Sequence, residues 1–198
     1  MSLSEPPRQD IAEHPLYVAA EKGHAGMASL LLEKGAHVNQ TDKDGMSPLC
    51  RAAMNGHAEV TSLLLEKGAN VNQATNDGTS PLYIATQKGH AEVTSLLLEK
   101  EADVNQAQKD GVIPLCIAAQ MGHAEVTSLL LRKGAHVNQA MNNGGYTPLM
   151  IAASTGEEEV LKLLLLWGAD KAVKNGAGKK ALDLVRETKH PTVAKLLQ

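Results

Sequence analysis

Aromatic residues are scarce in this chain, which has one Trp, three Tyr and no Phe among 198 residues. A conventional domain of this length buries several aromatic rings in its core. Hydrophobic residues nevertheless make up 43% of the chain, which favours an ordered protein over a disordered one. The shortage of rings therefore indicates a thin core of Ala, Leu and Val, of the kind that short paired helices give.

Charge of one sign and long apolar runs are also lacking. The formal net charge is −3, and no basic stripe is present, so we expect no nucleic-acid partner. No apolar run has the length of a membrane span, so we expect no membrane partner. The opening residues MSLSEPPRQD lack the apolar region of a signal peptide. We expect a cytoplasmic protein, with the nucleus as an open alternative.

Catalytic motifs are missing as well. The chain has no G-x-S-x-G, H-E-x-x-H or C-x-x-C motif, and its glycines form no phosphate-binding loop. The carboxylates are spread thinly along the sequence, as they are on solvated helix faces. We therefore expect no enzymatic activity, no cofactor and no metal site.

The chain is dominated instead by an internal repeat. The segment GHAEVTSLLL begins at Gly56, Gly89 and Gly122, at intervals of 33 residues. Prolines keep the same interval, which lengthens to 34 residues at the last of them: Pro15, Pro48, Pro81, Pro114 and Pro148. A fixed period of this size is typical of stacked arrays, in which each unit buries its apolar face only against its neighbours.

One unit predicts two short helices. Ser47 is a favourable N-cap residue, and Pro48 follows at the first helical position, where a missing N–H is harmless. Gly56 ends this first helix. The second helix begins near His57, and Gly68 is its expected C-cap. Its predicted buried stripe is Val60, Leu63 and Leu64. Neither helix is long enough to be stable alone, so stability must come from stacking.

These motifs closely resemble the ankyrin repeat family. The head of the family's repeat is present as SPLCRA, SPLYIA, IPLCIA and TPLMIA, and its later elements are present as GHAEV and LLLEKGANVN. The resemblance covers residues 11–198. It implies an all-α repeat solenoid, in which helix-turn-helix ankyrin repeats stack and are joined by β-hairpin-like loops. It also implies that the first helices line a concave groove.

The resemblance further implies the domain organisation and the role of the chain. We expect a mobile segment at residues 1–9 and a single ankyrin repeat domain at residues 10–198, with five repeats and a C-terminal capping repeat. The implied function is non-enzymatic binding of another protein through the groove and the loop tips, by a chain that we expect to be monomeric.

The positions that differ between otherwise similar repeats are the candidate binding residues. They lie at the predicted loop tips and at the ends of the first helices, whereas the second helices hardly change. Unselected surface variation is the alternative explanation. The candidates are Lys43, Asp44, Met46, Met54, Asn55, Asn76, Asp77, Thr79, Gln87, Lys88, Lys109, Asp110, Val112, Gln120, Met121, Tyr146, Ser154 and Thr155. Among them, Met46, Met54, Val112, Met121 and Tyr146 would supply an apolar, deformable centre.

Two further anomalies are candidate binding features. Arg51 stands where the other repeats have Val or Ile. It either pairs with an acidic group of a partner in the groove or extends along its stem to water. Leu166 and Trp167 replace charged residues of the other repeats, and either form a second apolar contact patch or pack beneath the C-terminal cap near Val193 and Leu197.

Two sets of recurring polar residues have structural interpretations. The histidines His24, His57, His90 and His123 recur once per repeat, about 8–10 Å apart, which is too far for the ligands of one zinc ion. We interpret them as structural residues at the start of each second helix. The asparagines Asn39, Asn72, Asn105 and Asn138 predict a ladder between loops. The family resemblance adds hydroxylation of these asparagines as an alternative.

Two departures from the repeat predict a soft junction. Ile113 replaces the N-cap Ser or Thr, and Glu101 replaces a C-cap Gly. Each substitution costs on the order of 1 kcal/mol. We therefore expect the junction between the third and fourth repeats to be the least stable part of the stack.

The two cysteines are predicted to be free thiols. Cys50 and Cys116 occupy equivalent positions two repeats apart. Two helix spacings separate them by about 20 Å, whereas a disulfide needs Cα atoms within about 7 Å of each other.

Three functional hypotheses remain open at this point. The first is a protein-binding module that uses the concave groove. The second is a structural scaffold or spacer segment of a larger protein. The third is an inhibitor or regulatory subunit that occludes the site of a partner enzyme.

Overall fold

A computed structural model describes residues 15–188 and 190–198. The segment 1–9, expected to be mobile, lies outside the described residues. The described chain forms twelve helices, which are α1 (Pro15–Lys22), α2 (Ala25–Glu33), α3 (Pro48–Asn55), α4 (Ala58–Glu66), α5 (Pro81–Lys88), α6 (Ala91–Glu99), α7 (Pro114–Met121), α8 (Ala124–Arg132), α9 (Pro148–Thr155), α10 (Glu158–Leu166), α11 (Ala181–Thr188) and α12 (Pro191–Leu197).

The helices form six successive pairs, which we number as the first to the sixth repeat. Each odd-numbered helix packs against its own partner and against the odd-numbered helices of the adjacent repeats, and the even-numbered helices form a second layer. Neighbouring first helices lie closer together than neighbouring second helices do. Ala lines the first layer and Leu the second, and the smaller side chains let the first helices approach each other more closely.

Local signals start and end the helices where the sequence predicts. The Ser47 hydroxyl accepts a hydrogen bond from the Cys50 N–H at 3.2 Å, and Ser80 and Thr147 cap their helices in the same way. Gly56 ends α3 at a φ of +74°, in the left-handed region.

The loops between repeats are hairpin-like, as predicted. A backbone hydrogen bond closes each of them, for example from the Asp42 N–H to the Met46 carbonyl and from the Thr75 N–H to the Thr79 carbonyl, both at 3.0 Å. The structure assigns no strand within the residues that it describes. The five loops span residues 42–46, 75–79, 108–112, 141–146 and 175–179, and we call them hairpin loops.

One contiguous core extends from Leu16 to Leu197. Leu64 and Leu97, from neighbouring repeats, are both fully buried in it. The predicted stripe of the second helix is wrong at Leu63, which is only half-buried. Thr61 is instead fully buried in that turn, together with Val60 and Leu64.

The recurring histidines connect neighbouring repeats. Nε2 of His57 lies 2.9 Å from the carbonyl oxygen of Glu21 in the preceding repeat, and His90 and His123 make the equivalent contacts at 3.2 and 3.1 Å. Each ring lies over the left-handed glycine that ends the preceding first helix. These three histidines are therefore structural, as the sequence predicted.

The predicted asparagine ladder is present. The Asn39 side chain accepts a hydrogen bond from the Asn70 N–H at 2.7 Å and donates one to the Gly68 carbonyl at 3.2 Å. Asn72, Asn105 and Asn138 accept equivalent bonds from the next repeat, each at 2.8 Å. The ladder satisfies backbone groups between repeats and holds the loops in register.

Candidate functional site

A depression of the surface lies between the hairpin loops and the first helices of the second and third repeats. Its volume is about 500 Å³. We call it the hairpin depression, and its lining residues are Asp44, Met46, Met54, Thr75, Asn76, Asp77, Thr79, Tyr83, Ile84, Gln87 and Gln108. Seven of these were candidates from the sequence, and Thr75, Tyr83, Ile84 and Gln108 were missed.

The missed residues could not be found by comparing repeats at loop tips and helix ends. Tyr83 and Ile84 lie within a first helix and read as core residues, and both are in fact largely buried. They line the depression because their side of helix α5 lies at the base of the hairpin loops. The one available signal was that Tyr83 is a ring in a chain with few rings.

The other candidates lie outside the hairpin depression. Lys43, Asn55, Lys88, Lys109, Asp110, Gln120, Met121 and Thr155 are exposed, and Tyr146 and Ser154 are half-buried. Several of their side chains bond to their own backbone. Asn55 donates to the Arg51 carbonyl at 2.9 Å, and Ser154 and Thr155 both donate to the Ile151 carbonyl. The structure therefore gathers seven candidates from the second and third repeats and their hairpin loops into one depression. It leaves the others outside, including Asn55 and Lys88 of the same two repeats.

Val112 is not a surface residue, contrary to the prediction. Its side chain is only 7% exposed and belongs to the apolar core. Val112 is the residue before Ile113, which replaces the usual polar N-cap and is itself fully buried. The hairpin loop therefore brings two consecutive apolar residues into the core, and Val112 is unavailable to a partner.

Arg51 makes two contacts within the chain. Its guanidinium carbon lies 4.5 Å from the centroid of the Tyr17 ring. Its Nη2 atom lies 3.5 Å from Oδ2 of Asp42, whose side chain is almost buried. Arg51 is thus held by the first repeat and the adjoining hairpin loop, where it joins two repeats through a cation–π contact and an ion pair.

The hydroxyl of Tyr83 differs in its hydrogen bonding from the hydroxyl of Tyr17, its counterpart in the first repeat. The Tyr17 hydroxyl donates to Oδ2 of Asp42 at 2.8 Å. The residue equivalent to Asp42 beside Tyr83 is Gln108, whose amide donates instead to the Thr79 hydroxyl at 2.5 Å. The Tyr83 hydroxyl therefore has no hydrogen-bond partner among the described residues, although the side chain is only 6% exposed.

The hydroxyl of Tyr83 stays protonated. Burial, with a smaller contribution from the nearby carboxylates of Asp110 and Asp77, raises the pKa of Tyr83 to about 12. At neutral pH the hairpin depression therefore contains a neutral phenol that can accept or donate a hydrogen bond.

Asp77 is ionised in the depression. Its carboxylate accepts hydrogen bonds from the Thr75 hydroxyl and from the Thr79 N–H, the latter at 3.2 Å. The hydrogen bond from Thr75 is the main cause of a lowered pKa of Asp77. Since these bonds favour the charged form, the carboxylate is held in a fixed orientation within its loop.

A second apolar surface lies at the end of α10. Leu166 is 80% exposed and Trp167 is 43% exposed, so the interpretation that they pack beneath the C-terminal cap is wrong. The cap instead buries Val193 and Leu197 in the core. We call Leu166 and Trp167 the α10 patch.

The described part of the chain shows neither a candidate metal site nor a helix that could span a membrane. Residues 15–188 and 190–198 contain no group of three or more His, Cys, Asp or Glu side chains arranged to hold a metal ion. None of the helices in these ranges combines the length and the apolar character that crossing a bilayer requires.

Comparison with known proteins agrees with the repeat architecture. No curated protein matches the chain. A family model described as ankyrin repeats (3 copies) matches residues 16–108 and again residues 102–175, which together make up most of the sequence. The matched span contains the first five helix pairs, their hairpin loops and the hairpin depression. On this match and on the stacked helix pairs, the chain belongs to the ankyrin repeat family.

Proposed function

We propose that this chain is a protein-binding module whose partner occupies the hairpin depression. Ankyrin repeats are generally protein-protein interaction modules and generally not enzymes. The observation that carries the proposal is the convergence in one depression of seven candidate residues, of which Met46, Met54, Asn76, Thr79 and Gln87 vary between the repeats. Such variation on a constant scaffold is what a binding surface requires.

The composition of the depression suits a protein ligand. Met46 and Met54 are half-buried and flexible, so they can adapt to an apolar side chain. Asp44, Asn76 and Asp77 form a polar rim on two successive hairpin loops. An apolar centre with a polar rim is the usual organisation of a protein interface.

The neighbouring hairpin loops also support each other. The Asn76 side chain donates to the Lys43 carbonyl at 2.9 Å, and the Asn76 N–H donates to the Asp44 carbonyl at 2.9 Å. These bonds fix the two loops relative to each other before a partner arrives. A rim of fixed geometry lowers the entropic cost of binding.

The α10 patch is a second candidate surface, since its two large apolar side chains are adjacent and exposed. It lies at the other end of the stack, on a second helix, whereas the hairpin depression is formed by first helices and loops. A single partner of small size would contact one of the two surfaces, so substitutions can separate them.

The test compares partner capture by three proteins. Wild type, Met54→Glu and Leu166→Glu are immobilised at equal amounts and exposed to a lysate of the native host, and the captured proteins are identified by mass spectrometry. Both substitutions place a carboxylate on an apolar surface residue, so they serve as matched controls for each other. Circular dichroism verifies that each variant keeps its helix content.

A partner that is lost with Met54→Glu and retained with Leu166→Glu supports the proposal. Loss with Leu166→Glu alone would assign binding to the α10 patch. An unchanged set of captured proteins in both variants would contradict binding at either surface and favour a scaffold or spacer role.

A further inference from the structure

We propose that the hairpin loop at residues 141–146 carries a site of covalent modification, at which Asn143 deamidates through the backbone of Gly144. The Gly144 nitrogen attacks the side-chain amide carbon of Asn143, ammonia leaves, and water opens the resulting cyclic imide to aspartate or isoaspartate. This inference goes beyond the function proposed above and does not depend on it, because it concerns a reaction of the chain with water.

The reaction needs no reagent other than water. The bond that forms joins the Gly144 nitrogen to Cγ of Asn143, and the bond that breaks joins Cγ to Nδ2. The leaving nitrogen takes up, through solvent, the proton that the Gly144 nitrogen loses, and it departs as ammonia. One water molecule then adds to either carbonyl of the imide, so that a carboxyl group and an N–H are formed and no electrons are exchanged. Glycine favours the attack because it has no side chain to crowd the nitrogen.

The backbone separates the three Asn-Gly pairs of the chain into two classes. The pairs are Asn55-Gly56, Asn143-Gly144 and Asn175-Gly176. The Gly56 N–H donates a hydrogen bond to the Ala52 carbonyl at the end of α3, and the Gly176 N–H donates to the Gly144 carbonyl at 2.9 Å. The Gly144 N–H makes no hydrogen bond within the described residues. An N–H that is hydrogen-bonded reacts only after local opening, so Gly144 holds the one attacking nitrogen of the three that is free.

The side chains of the three asparagines differ in the same way. Asn55 donates to the Arg51 carbonyl at 2.9 Å. Asn175 is only 6% exposed, and its Oδ1 atom accepts from the backbone N–H groups of Ala177 and Lys179 at 3.0 and 2.9 Å. Asn143 is exposed and makes no side-chain hydrogen bond to the described part of the chain. Its amide can therefore turn toward the following nitrogen without losing a contact.

One extra residue explains why this loop differs from the others. The other four hairpin loops have five residues, and the glycine at the fourth place closes the turn by donating its N–H to the carbonyl of the first residue, at 2.8 to 3.0 Å. These glycines are Gly45, Gly78, Gly111 and Gly178. The loop at 141–146 has six residues, and neither Gly144 nor Gly145 makes the closing bond. The insertion thus leaves an Asn-Gly pair in a turn without its internal hydrogen bond.

The product changes the surface of the stack. Either product places a new carboxylate at an exposed loop tip, three positions before Tyr146, which is a candidate binding residue. Isoaspartate also lengthens the backbone by one methylene group next to Gly144, whose carbonyl accepts the Gly176 N–H. The contact between the fourth and fifth hairpin loops should therefore weaken in the isoaspartate form.

The test follows all three asparagines in one sample. Full-length protein is incubated in mildly alkaline buffer made with heavy-oxygen water and then digested in ordinary water, so that heavy oxygen marks only the deamidation of the incubation. Mass spectrometry quantifies each Asn-Gly peptide. In the folded protein we expect Asn143 to react at least about tenfold faster than Asn55 and Asn175, because the latter two must first open. In concentrated urea the three rates should become similar, since no hydrogen bond shields any pair.

Two variants locate the cause. Deletion of Gly144 leaves Asn143 followed by Gly145 in a five-residue loop like the other four, and it should slow deamidation of Asn143 at least about tenfold if the closing bond is restored. Asn143→Gln is the control for the product, because a longer side chain would have to close a larger ring. It should abolish the acidic species that isoelectric focusing detects in incubated wild type. Circular dichroism and urea unfolding verify that both variants are folded.

Several results would overturn the inference. These are equal rates at the three asparagines in the folded protein, no heavy oxygen at Asn143, or a folded deletion variant that reacts as fast as wild type. If the deletion variant does not fold, the comparison of folded with urea-unfolded wild type decides by itself. None of these outcomes bears on partner capture at the hairpin depression, so the proposed function stands or falls separately.

Discussion

The guanidinium of Arg51 lies over the ring of Tyr17, with 4.5 Å between the guanidinium carbon and the ring centroid. Asp42 completes the set by accepting a hydrogen bond from the tyrosine hydroxyl and pairing with the guanidinium. The three residues come from the first repeat, the hairpin loop and the second repeat. Tyr17 occupies the position at which the head motif of the family's repeat usually has His. Here the first two repeats are linked by the network of Tyr17, Asp42 and Arg51.

Replacing each of the two equivalent tyrosines by Phe should give opposite results. Tyr17→Phe removes a hydrogen bond to a nearly buried carboxylate, so we expect the free energy of unfolding to fall by about 1 kcal/mol. Tyr83→Phe removes a hydroxyl that makes no hydrogen bond to the described residues, so stability should stay the same or rise slightly. Urea unfolding followed by circular dichroism measures both variants. A comparable loss of stability for Tyr83→Phe would mean that its hydroxyl is bonded within the chain.

Two left-handed glycines should respond unequally to Ala. Gly56 and Gly68 have φ angles of +74° and +86°, so Ala at either one costs about 1–2 kcal/mol of backbone strain. At Gly56 a Cβ atom would also lie 2.7 Å from the His90 ring, whereas at Gly68 nothing lies within 4 Å. We therefore expect Gly56→Ala to be more destabilising by at least about 1 kcal/mol, because it displaces the His90 contact with the Met54 carbonyl. Equal losses in thermal unfolding would show that this contact adds no stability.

Replacing any of three threonines of the second helices by Val should stabilise the protein. Thr61, Thr94 and Thr127 are fully buried, and their hydroxyls have no hydrogen-bond partner. Leu161 fills the same position in the fifth repeat, which shows that the site accepts an apolar side chain. We expect each Thr→Val substitution to raise the free energy of unfolding by about 1 kcal/mol.

Both side chains in that exchange are β-branched, so helix propensity changes little. Thr188→Val is the control, because Thr188 is exposed and its hydroxyl donates to the Leu184 carbonyl at 3.2 Å. It should give no gain. If the three buried variants are no more stable than wild type in denaturant titrations, their hydroxyls are satisfied in solution.

The junction between the third and fourth repeats should be the softest part of the stack. Glu101 has a φ of +63°, and Ile113 makes no side-chain cap bond. Asn39, Asn105 and Asn138 each donate a hydrogen bond to the carbonyl of the glycine that follows the second helix of the next repeat. Glu101 occupies the position of this glycine in the third repeat. Asn72 makes no such bond to Glu101, although both lie in the described part of the chain. We expect hydrogen exchange to be faster at residues 101–113 than at their counterparts, and uniform exchange along the array would contradict this.

Restoring glycine should repair the junction. Glu101→Gly is expected to raise stability by about 1 kcal/mol and to slow exchange at residues 101–113, because glycine adopts the left-handed conformation without strain. Lys100→Gly is the matched control, since Lys100 has a φ of −93° and gains nothing from glycine. A gain in both variants would point to a cause other than backbone strain.

The two cysteines should react slowly with thiol reagents. Both are free and buried. Burial raises the pKa of the Cys116 thiol to about 12 and also raises the pKa of Cys50, so neither forms much thiolate at pH 8. We expect iodoacetamide to label them at least about 100-fold more slowly than a cysteine placed at the exposed position 120. Rapid labelling of the native protein at pH 8 would contradict their burial.

The sequence predicted the repeats well because their signals are local. Ser47, Pro48 and Gly56 act through the geometry of their own turns, so the first helix of each unit could be bounded without tertiary information. The fixed period then predicted stacking, and the spacing of His57, His90 and His123 excluded a shared metal ion. Seven of the eleven residues that line the hairpin depression were candidates from the comparison of repeats.

The predictions from the sequence were wrong where packing against other parts of the chain decides whether a side chain is buried. Val112, predicted at a surface loop tip, is buried in the core together with the neighbouring Ile113. Thr61 is fully buried, whereas Leu63 of the predicted stripe is only half-buried.

The sequence alone thus determined the repeat unit, its period and the family, since these depend on residues close together in the chain. Only the tertiary structure decided which of the variable residues share a depression and which polar groups lack a partner. Those properties depend on contacts between residues about 25 to 36 positions apart, such as Tyr17 with Asp42 and His57 with Glu21. The reason is geometric: a solenoid forms each of its surfaces from several repeats, and the pattern of one repeat does not specify which side chain of the next will meet it.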